Sequence, residues 1–262
     1  FMDDFIGGRY SVSSPAGGAL ISLAFGAETF EEFLAGAAKA DRQALEKNIL
    51  KNAPLLDALI GIYERNILGY SATAMLPYSQ ALEKFPSHLQ QLDMESNGKS
   101  VNRFSKKLKY KTGPLVFGEA GTNGQHSFYQ LLHQGTDIIP LQFIGFKDSQ
   151  LASSQKDSQT KLKANLIGQI VAFACGQESN NLNENFPGEK PSSLIYGQKL
   201  TPTNLGALLS HYENKVMFQG FAWNINSFDQ EGVQLGKTLT QDVLSDESNK
   251  ILKTFYEKLS ER

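Results

Sequence analysis

The sequence predicts an α/β protein with a mainly parallel sheet covered by helices on both faces. Two observations carry this. Short apolar runs alternate along the chain with segments of helical period, the signature of strand–helix–strand units. The 262 residues, 40% of them apolar and 20% charged, are also enough to bury a sizeable core.

The elements follow in order. In residues 53–68, Leu55, Leu56, Leu59, Ile60, Tyr63 and Ile67 form a stripe of helical period, which predicts a helix packed on a sheet. Residues 72–78 read as a short strand and 87–93 as a helix whose end delivers Glu95. Residues 114–118 read as a buried strand. A helix over 122–133 is expected to begin at Thr122 or Asn123, both good caps. The next strand is expected over 136–146, a long helix over 161–177, and an exposed Asn-rich loop from Asn180 to Gly188. A strand over 192–200 and a helix over 203–214 follow, then an apolar segment over 215–223 that the pattern leaves unassigned. Residues 232–243 and 246–260 read as helices, the last amphipathic.

The net charge of −2 gives no reason to expect a nucleic acid or an anionic membrane as partner. The basic run over 103–111 reads as a solvated loop or hairpin edge, where lysine protects against edge pairing. No apolar stretch approaches the ~20 residues of a membrane span. The single cysteine, Cys175, permits no intrachain disulfide and suits a reducing cytoplasm; its apolar helical surroundings predict a buried thiol. No cluster of His, Cys and carboxylates has metal-ligand spacing, so neither a metal nor a cofactor is expected.

Chemistry concentrates in two segments rich in Gly, Asn and Ser. Leu92-Asp93-Met94-Glu95-Ser96-Asn97-Gly98-Lys99 offers a carboxylate, and Gly118-Glu119-Ala120-Gly121-Thr122-Asn123-Gly124-Gln125-His126 an imidazole. The pair suits proton transfer. Arg9, behind Gly7 and Gly8, is a fixed cation able to stabilise a developing anion. His133 reads as structural, and His88 and His211 have no supporting motif.

With Asp4-Phe5-Ile6-Gly7-Gly8-Arg9-Tyr10-Ser11 and Phe228-Asp229-Gln230-Glu231-Gly232-Val233-Gln234-Leu235-Gly236-Lys237, these segments resemble, in this order, the phosphoglucose isomerase family. The resemblance spans nearly the whole chain and implies the C-terminal part of such an enzyme. It implies a sugar-isomerase (SIS) type three-layer sandwich over 21–240, a C-terminal helical arm over 241–262, and a tail of a preceding SIS domain over 1–20. It further implies that Glu95 moves the proton between C2 and C1, His126 serves the ring oxygen, Arg9 faces the enediolate, and Lys237 assists ring opening. Gln91 and Gln230 match positions that bind the phosphosugar, and Gly121, Thr122 and Asn123 resemble a loop that cups it. The implied reaction interconverts glucose 6-phosphate and fructose 6-phosphate in a cytoplasmic homodimer, with His126 entering from the neighbouring subunit.

Three departures stand out. Ala120 replaces the usual proline and is expected to loosen its loop. Gln234 replaces a glutamate, and Gly188-Glu189-Lys190-Pro191 matches only partly. The family's Ser/Thr-rich phosphate cradle is expected to lie in the preceding domain, so the chain alone is expected to bind substrate poorly. The alternatives are a non-catalytic SIS-type module that binds a phosphosugar or a partner, and an isomerase of another sugar phosphate such as mannose 6-phosphate.

Overall fold

The computed structural model describes residues 2–151, 156–245 and 250–260. Four strands, β1 (Ala72–Pro77), β2 (Leu115–Gly118), β3 (Leu141–Asp148) and β4 (Ser192–Lys199), form one sheet in the order β2-β1-β3-β4. All three pairings are parallel, with Ala72 opposite Leu115, Ala74 opposite Leu141, and Leu141 opposite Ser192. The alternating α/β pattern thus produces the expected parallel sheet.

Successive strand residues point to opposite faces, and each face has its own core. On one side Met75, Val116, Ile144 and Phe146 meet Phe33, Phe85, Leu89, Leu208, Tyr212 and Val216. These come from α2 (Ala27–Ala44), α4 (Phe85–Leu89) and α8 (Pro202–Ala222). On the other side Ala74, Leu76, Leu141 and Phe143 meet Tyr129 and Leu132 of α6 (Tyr129–Gln134) and Leu166 and Phe173 of α7 (Lys156–Cys175). Each large side chain so buried contributes about 1.5–3 kcal/mol. His133 is structural, as expected: its ring stacks on Phe173 with centroids 3.8 Å apart.

Caps set several helix starts. Ser14 caps α1 (Pro15–Phe25), and Thr201 caps α8, each ahead of a proline in the first turn. Asn52 caps α3 (Ala53–Ile62) by accepting from the Leu55 N–H, while its amide donates to the carbonyls of Ala44 and Glu46.

Several expectations need correction. The helix over 53–68 is α3 followed by a π-helical turn, Tyr63–Ile67. Its stripe is mostly open, with Leu59, Ile60, Tyr63 and Ile67 exposed and Leu55 and Leu56 half-buried. The seam is instead made by the small Ala58, because α3 lies against α8. Residues 136–140 precede β3 as loop, since strand pairing starts only at Leu141. The helix over 203–214 and the unassigned segment after it are one helix, α8. Cys175 is exposed, because α7 ends there and turns only Leu166 and Phe173 fully inward. The basic run is a solvated hairpin edge, with Val101 and Lys107 bridged in antiparallel.

The chain divides after Ser227 into two compact units. The second carries α9 (Glu231–Leu244) and α10 (Lys250–Ser260), both without buried residues. Residues 246–249 of the expected terminal helix lie outside the described residues.

Candidate active site

After β1 the chain enters α4 through Pro86 in its first turn, and the helix widens into a π-helical turn, Gln90–Glu95. Such widened turns re-aim side chains and recur at functional sites. Leu89 and Leu92 hold the segment in the core, and Ser96 and Asn97, both 0% exposed, follow. The Glu95 side chain reaches the surface with 17% of its area.

Arg9 lies in a single 3-10 turn, Gly8–Tyr10, and is buried. Its Nη1 stands 3.4 Å from Glu95 Oε2. Nε donates to Ser96 Oγ at 2.8 Å and Nη2 to the Ser227 carbonyl at 2.6 Å. Tyr10 closes the group, its hydroxyl 3.1 Å from Ser96 Oγ and its ring 5.6 Å from the guanidinium. Arg9 is therefore fixed on two sides beside a carboxylate. Glu95 Oε2 itself is buried without a hydrogen bond. Among the described residues its charge is met by the Arg9 guanidinium alone at ion-pair distance. The geometry supplies a proton acceptor next to a cation that cannot move away.

His126 is differently placed. Beyond β2, α5 (Gly121–Gly124) and α6 are separated by a turn, so the expected helix over 122–133 is broken. Glycines at 121 and 124 weaken it. Its cap is Ala120 rather than Thr122 or Asn123, and no side chain bonds there. Gly121 is required at its place, since a Cβ there would lie 2.6 Å from the Tyr78 ring. Gln125 ties the turn down by donating to Asn165 and, at 3.4 Å, to Tyr78. His126 stands exposed in that turn. Ala120 holds φ at −56°, inside proline's range, so the loop keeps the backbone that proline would impose.

The Glu95 segment packs where the chain enters β2: Met94 Sδ accepts from the Val116 N–H, and a Cβ on Gly113 would sit 2.9 Å from the Asn97 carbonyl carbon. His126 lies past the exit of the same strand. The structure thus unites Arg9 with Glu95 and leaves His126 at the other end of β2. Gln91 is exposed on the π-helical turn, Gly121 is buried, and Thr122 and Asn123 are exposed on α5. In the second unit Gln230 is the residue before α9, partly buried, and Lys237 is exposed on that helix.

Sequence reasoning missed Ser96, Asn97 and Ser227. Only their neighbourhood to Glu95 and to the Phe228–Lys237 motif pointed to them. It also missed a buried charged cluster between sheet, α3 and α8. There Lys215 donates to Asp57 at 3.0 Å and to Gln142 at 3.3 Å, and His211 stands 3.1 Å from Asp57. Burial alone would raise the Asp57 carboxyl, but Lys215 and His211 hold it down to about 2. A small, partly open space of about 30 Å³, room for about one water, is lined by Glu64, Asp93, Gln142, Lys215 and Gln219 among others. Burial pushes Glu64 up to about 7 and Asp93 to about 6. Among the described residues no group of three or more His, Cys, Asp or Glu side chains is placed to hold a metal ion, and no helix is long and apolar enough to cross a membrane.

A parallel α/β domain with a carboxylate set against a buried guanidinium defines a protein equipped for proton transfer beside a developing anion. The chain belongs to the phosphoglucose isomerase family, whose profile it matches over residues 1–258. It is 67% identical to the glucose-6-phosphate isomerase of Treponema denticola over 98% of this chain and 50% of that protein. Against the Treponema pallidum glucose-6-phosphate isomerase it is 64% identical over 97% of this chain and 48% of the relative. A crystal structure of a glucose-6-phosphate isomerase from Chlamydia trachomatis superposes with a TM-score of 0.92 at 47% identity, covering 98% of this chain and 51% of that one. The chain spans about half the length of these relatives.

Proposed function

We propose that this chain is the C-terminal catalytic domain of a glucose-6-phosphate isomerase, interconverting glucose 6-phosphate and fructose 6-phosphate through an enediol. The observation that carries the reading is the Arg9–Glu95 ion pair, 3.4 Å apart, made on a buried carboxylate oxygen that accepts no hydrogen bond. Glu95 takes the proton from C2 and returns it to C1. Arg9 gains interaction energy as the enediolate forms, because its charge is already fixed where negative charge grows. Gln91, Gln230 and the loop of Gly121, Thr122 and Asn123 hold the sugar phosphate, and Lys237 assists ring opening.

His126 serves the ring oxygen from a second copy of the chain in a cytoplasmic homodimer. Its position past the exit of β2, with the Glu95 segment at the entry, supports this. Residues 1–20 belong with a preceding SIS-type domain that carries the phosphate cradle, residues 21–240 form the second SIS-type domain, and 241–262 its helical arm. The half-length coverage of the relatives supports a longer enzyme. The test is a coupled isomerase assay on the enzyme that contains this segment, with and without Glu95→Gln. Turnover of fructose 6-phosphate that is lost in Glu95→Gln supports the reading. An inert wild type that still binds the sugar makes the protein a phosphosugar-binding module instead.

A further inference from the structure

Arg9 and Glu95 come from distant parts of the chain, yet both are referred to one buried amide. Asn97, 0% exposed, follows Glu95 by two residues. Its Nδ2 donates to Asp93 Oδ1 at 3.2 Å, to Gln219 Oε1 at 3.3 Å and to the Val216 carbonyl at 3.4 Å. Its Oδ1 accepts from Ser227 Oγ at 2.9 Å, and the carbonyl of that same Ser227 receives Arg9 Nη2. Gly220 leaves the room for this, since a Cβ there would lie 2.1 Å from Ser227 Oγ.

We propose that Asn97 is a positioning residue for the proposed isomerase reaction, locking the Glu95 segment to α8 and, through Ser227, setting where the Arg9 guanidinium stands. The inference rests on the isomerase reading for its kinetic consequence only. The site demands a donor toward Asp93, Gln219 and Val216 together with an acceptor toward Ser227. Asparagine supplies both at this length, whereas aspartate lacks the donor and leucine lacks both. Misplacement of a catalytic group by about 1 Å costs about a hundredfold in rate, so a loosened Asn97 acts on kcat rather than on KM.

The test is a polarity swap. Asn97→Asp sets a carboxylate against Asp93, which already faces Lys215 and Asp57 electrostatically and shares its cavity with Glu64. Two carboxylates at this distance tolerate each other only while they share a proton. In the enzyme that contains this segment, Asn97→Asp is expected to lower kcat about tenfold or more at pH 8.5 and much less at pH 6, with KM within about twofold. Asp93→Asn added to Asn97→Asp restores a donor facing an acceptor between these two positions, while Gln219 Oε1 and the Val216 carbonyl still lack their donor, and is expected to recover part of kcat at pH 8.5.

Ser227→Ala, a smaller change, removes only the hydroxyl link and is expected to lower kcat about fivefold, near the worth of one hydrogen bond. Unchanged kcat in Asn97→Asp at pH 8.5, a double variant no better than the single, or unchanged kcat in Ser227→Ala overturns the proposal. If the wild type shows no turnover, the functional reading fails, and the positioning claim is judged from the Arg9 Nε–H signal in NMR of the protein that contains this segment. That proton, assigned by its loss in Arg9→Lys, exchanges slowly in the wild type and at least about fivefold faster in Ser227→Ala if the proposal holds. Equal exchange in both overturns it.

Discussion

Lys215 reaches Asp57 at 3.0 Å from α8, and the other Asp57 oxygen stands 3.1 Å from His211. All three side chains are largely buried, at 8–15% exposure. An arrangement of this kind stabilises little as a pair, but removing one member strands a charge in a poor solvent. Lys215→Met leaves Asp57 with His211 as its remaining basic neighbour. It is expected to cost about 3–5 kcal/mol in urea denaturation. Adding Asp57→Asn should return part of that loss, because the stranded charge is then gone. A double variant as unstable as the sum of the singles would show that Lys215 acts by packing.

Buried carboxyls in this cluster and beside Asp41 set an acid-side stability profile. Burial raises Glu64 and Glu213 from 4.5 to about 7, and Asp93 from 3.8 to about 6. The folded state therefore holds more protons than the unfolded one from about pH 4 to 7, and stability falls as pH rises through that window. Asp57, lowered from 3.8 to about 2, acts in the opposite sense, and its contribution is lost as pH falls from near 4 to 2. These four groups place the optimum near pH 4 to 5. Burial lowers His88 and His133, which acts against this decline, so the carboxyl effect is read as a difference: the urea midpoint of Glu64→Gln should fall less, or rise more, from pH 5 to 7 than that of the wild type. Identical pH dependence in Glu64→Gln and the wild type would contradict the raised Glu64 carboxyl.

The sheet and most helices were legible because strand residues such as Leu141, Phe143 and Ile144 read as apolar runs, and α10 reads as an amphipathic stripe. The breaks were not legible. The π-helical turns at Tyr63–Ile67 and Gln90–Glu95 leave no periodic trace, since one extra residue per turn looks like noise in a short window. Helices α1 and α2 were not assigned either; α1 exposes Leu20, Leu23 and Phe25, so its apolar residues define no single buried face. At the site, Glu95 and Arg9 could be nominated by chemistry and resemblance. Ser96, Asn97 and Ser227 could not, because an uncharged polar residue shows its role only through partners brought from elsewhere in the chain.

Cys175 gives a direct check on one such correction. It ends α7 and is exposed, whereas the apolar sequence around it suggested burial. A thiol reagent should therefore modify one group per folded chain at a rate close to that of the urea-unfolded chain, with circular dichroism unchanged. Protection by a hundredfold or so in the folded chain would return the thiol to the core.

Arg9→Lys separates the charge of Arg9 from its shape. Lysine keeps the cation beside Glu95 but has one nitrogen in place of the fork that spans Glu95, Ser96 and Ser227 at 3.4, 2.8 and 2.6 Å. If Arg9 only neutralised a bound anion, the substitution would be mild and would act through KM. If its work is to hold a fixed charge at the enediolate, an ammonium drawn toward either the carboxylate or the Ser227 carbonyl is off target. We expect kcat to drop about a hundredfold with KM changed less than about threefold, a loss of about 2.7 kcal/mol in the transition state alone. The measurement is steady-state kinetics with fructose 6-phosphate on the enzyme containing this segment. A pure KM effect would assign Arg9 to substrate binding and leave enediolate stabilisation to other groups.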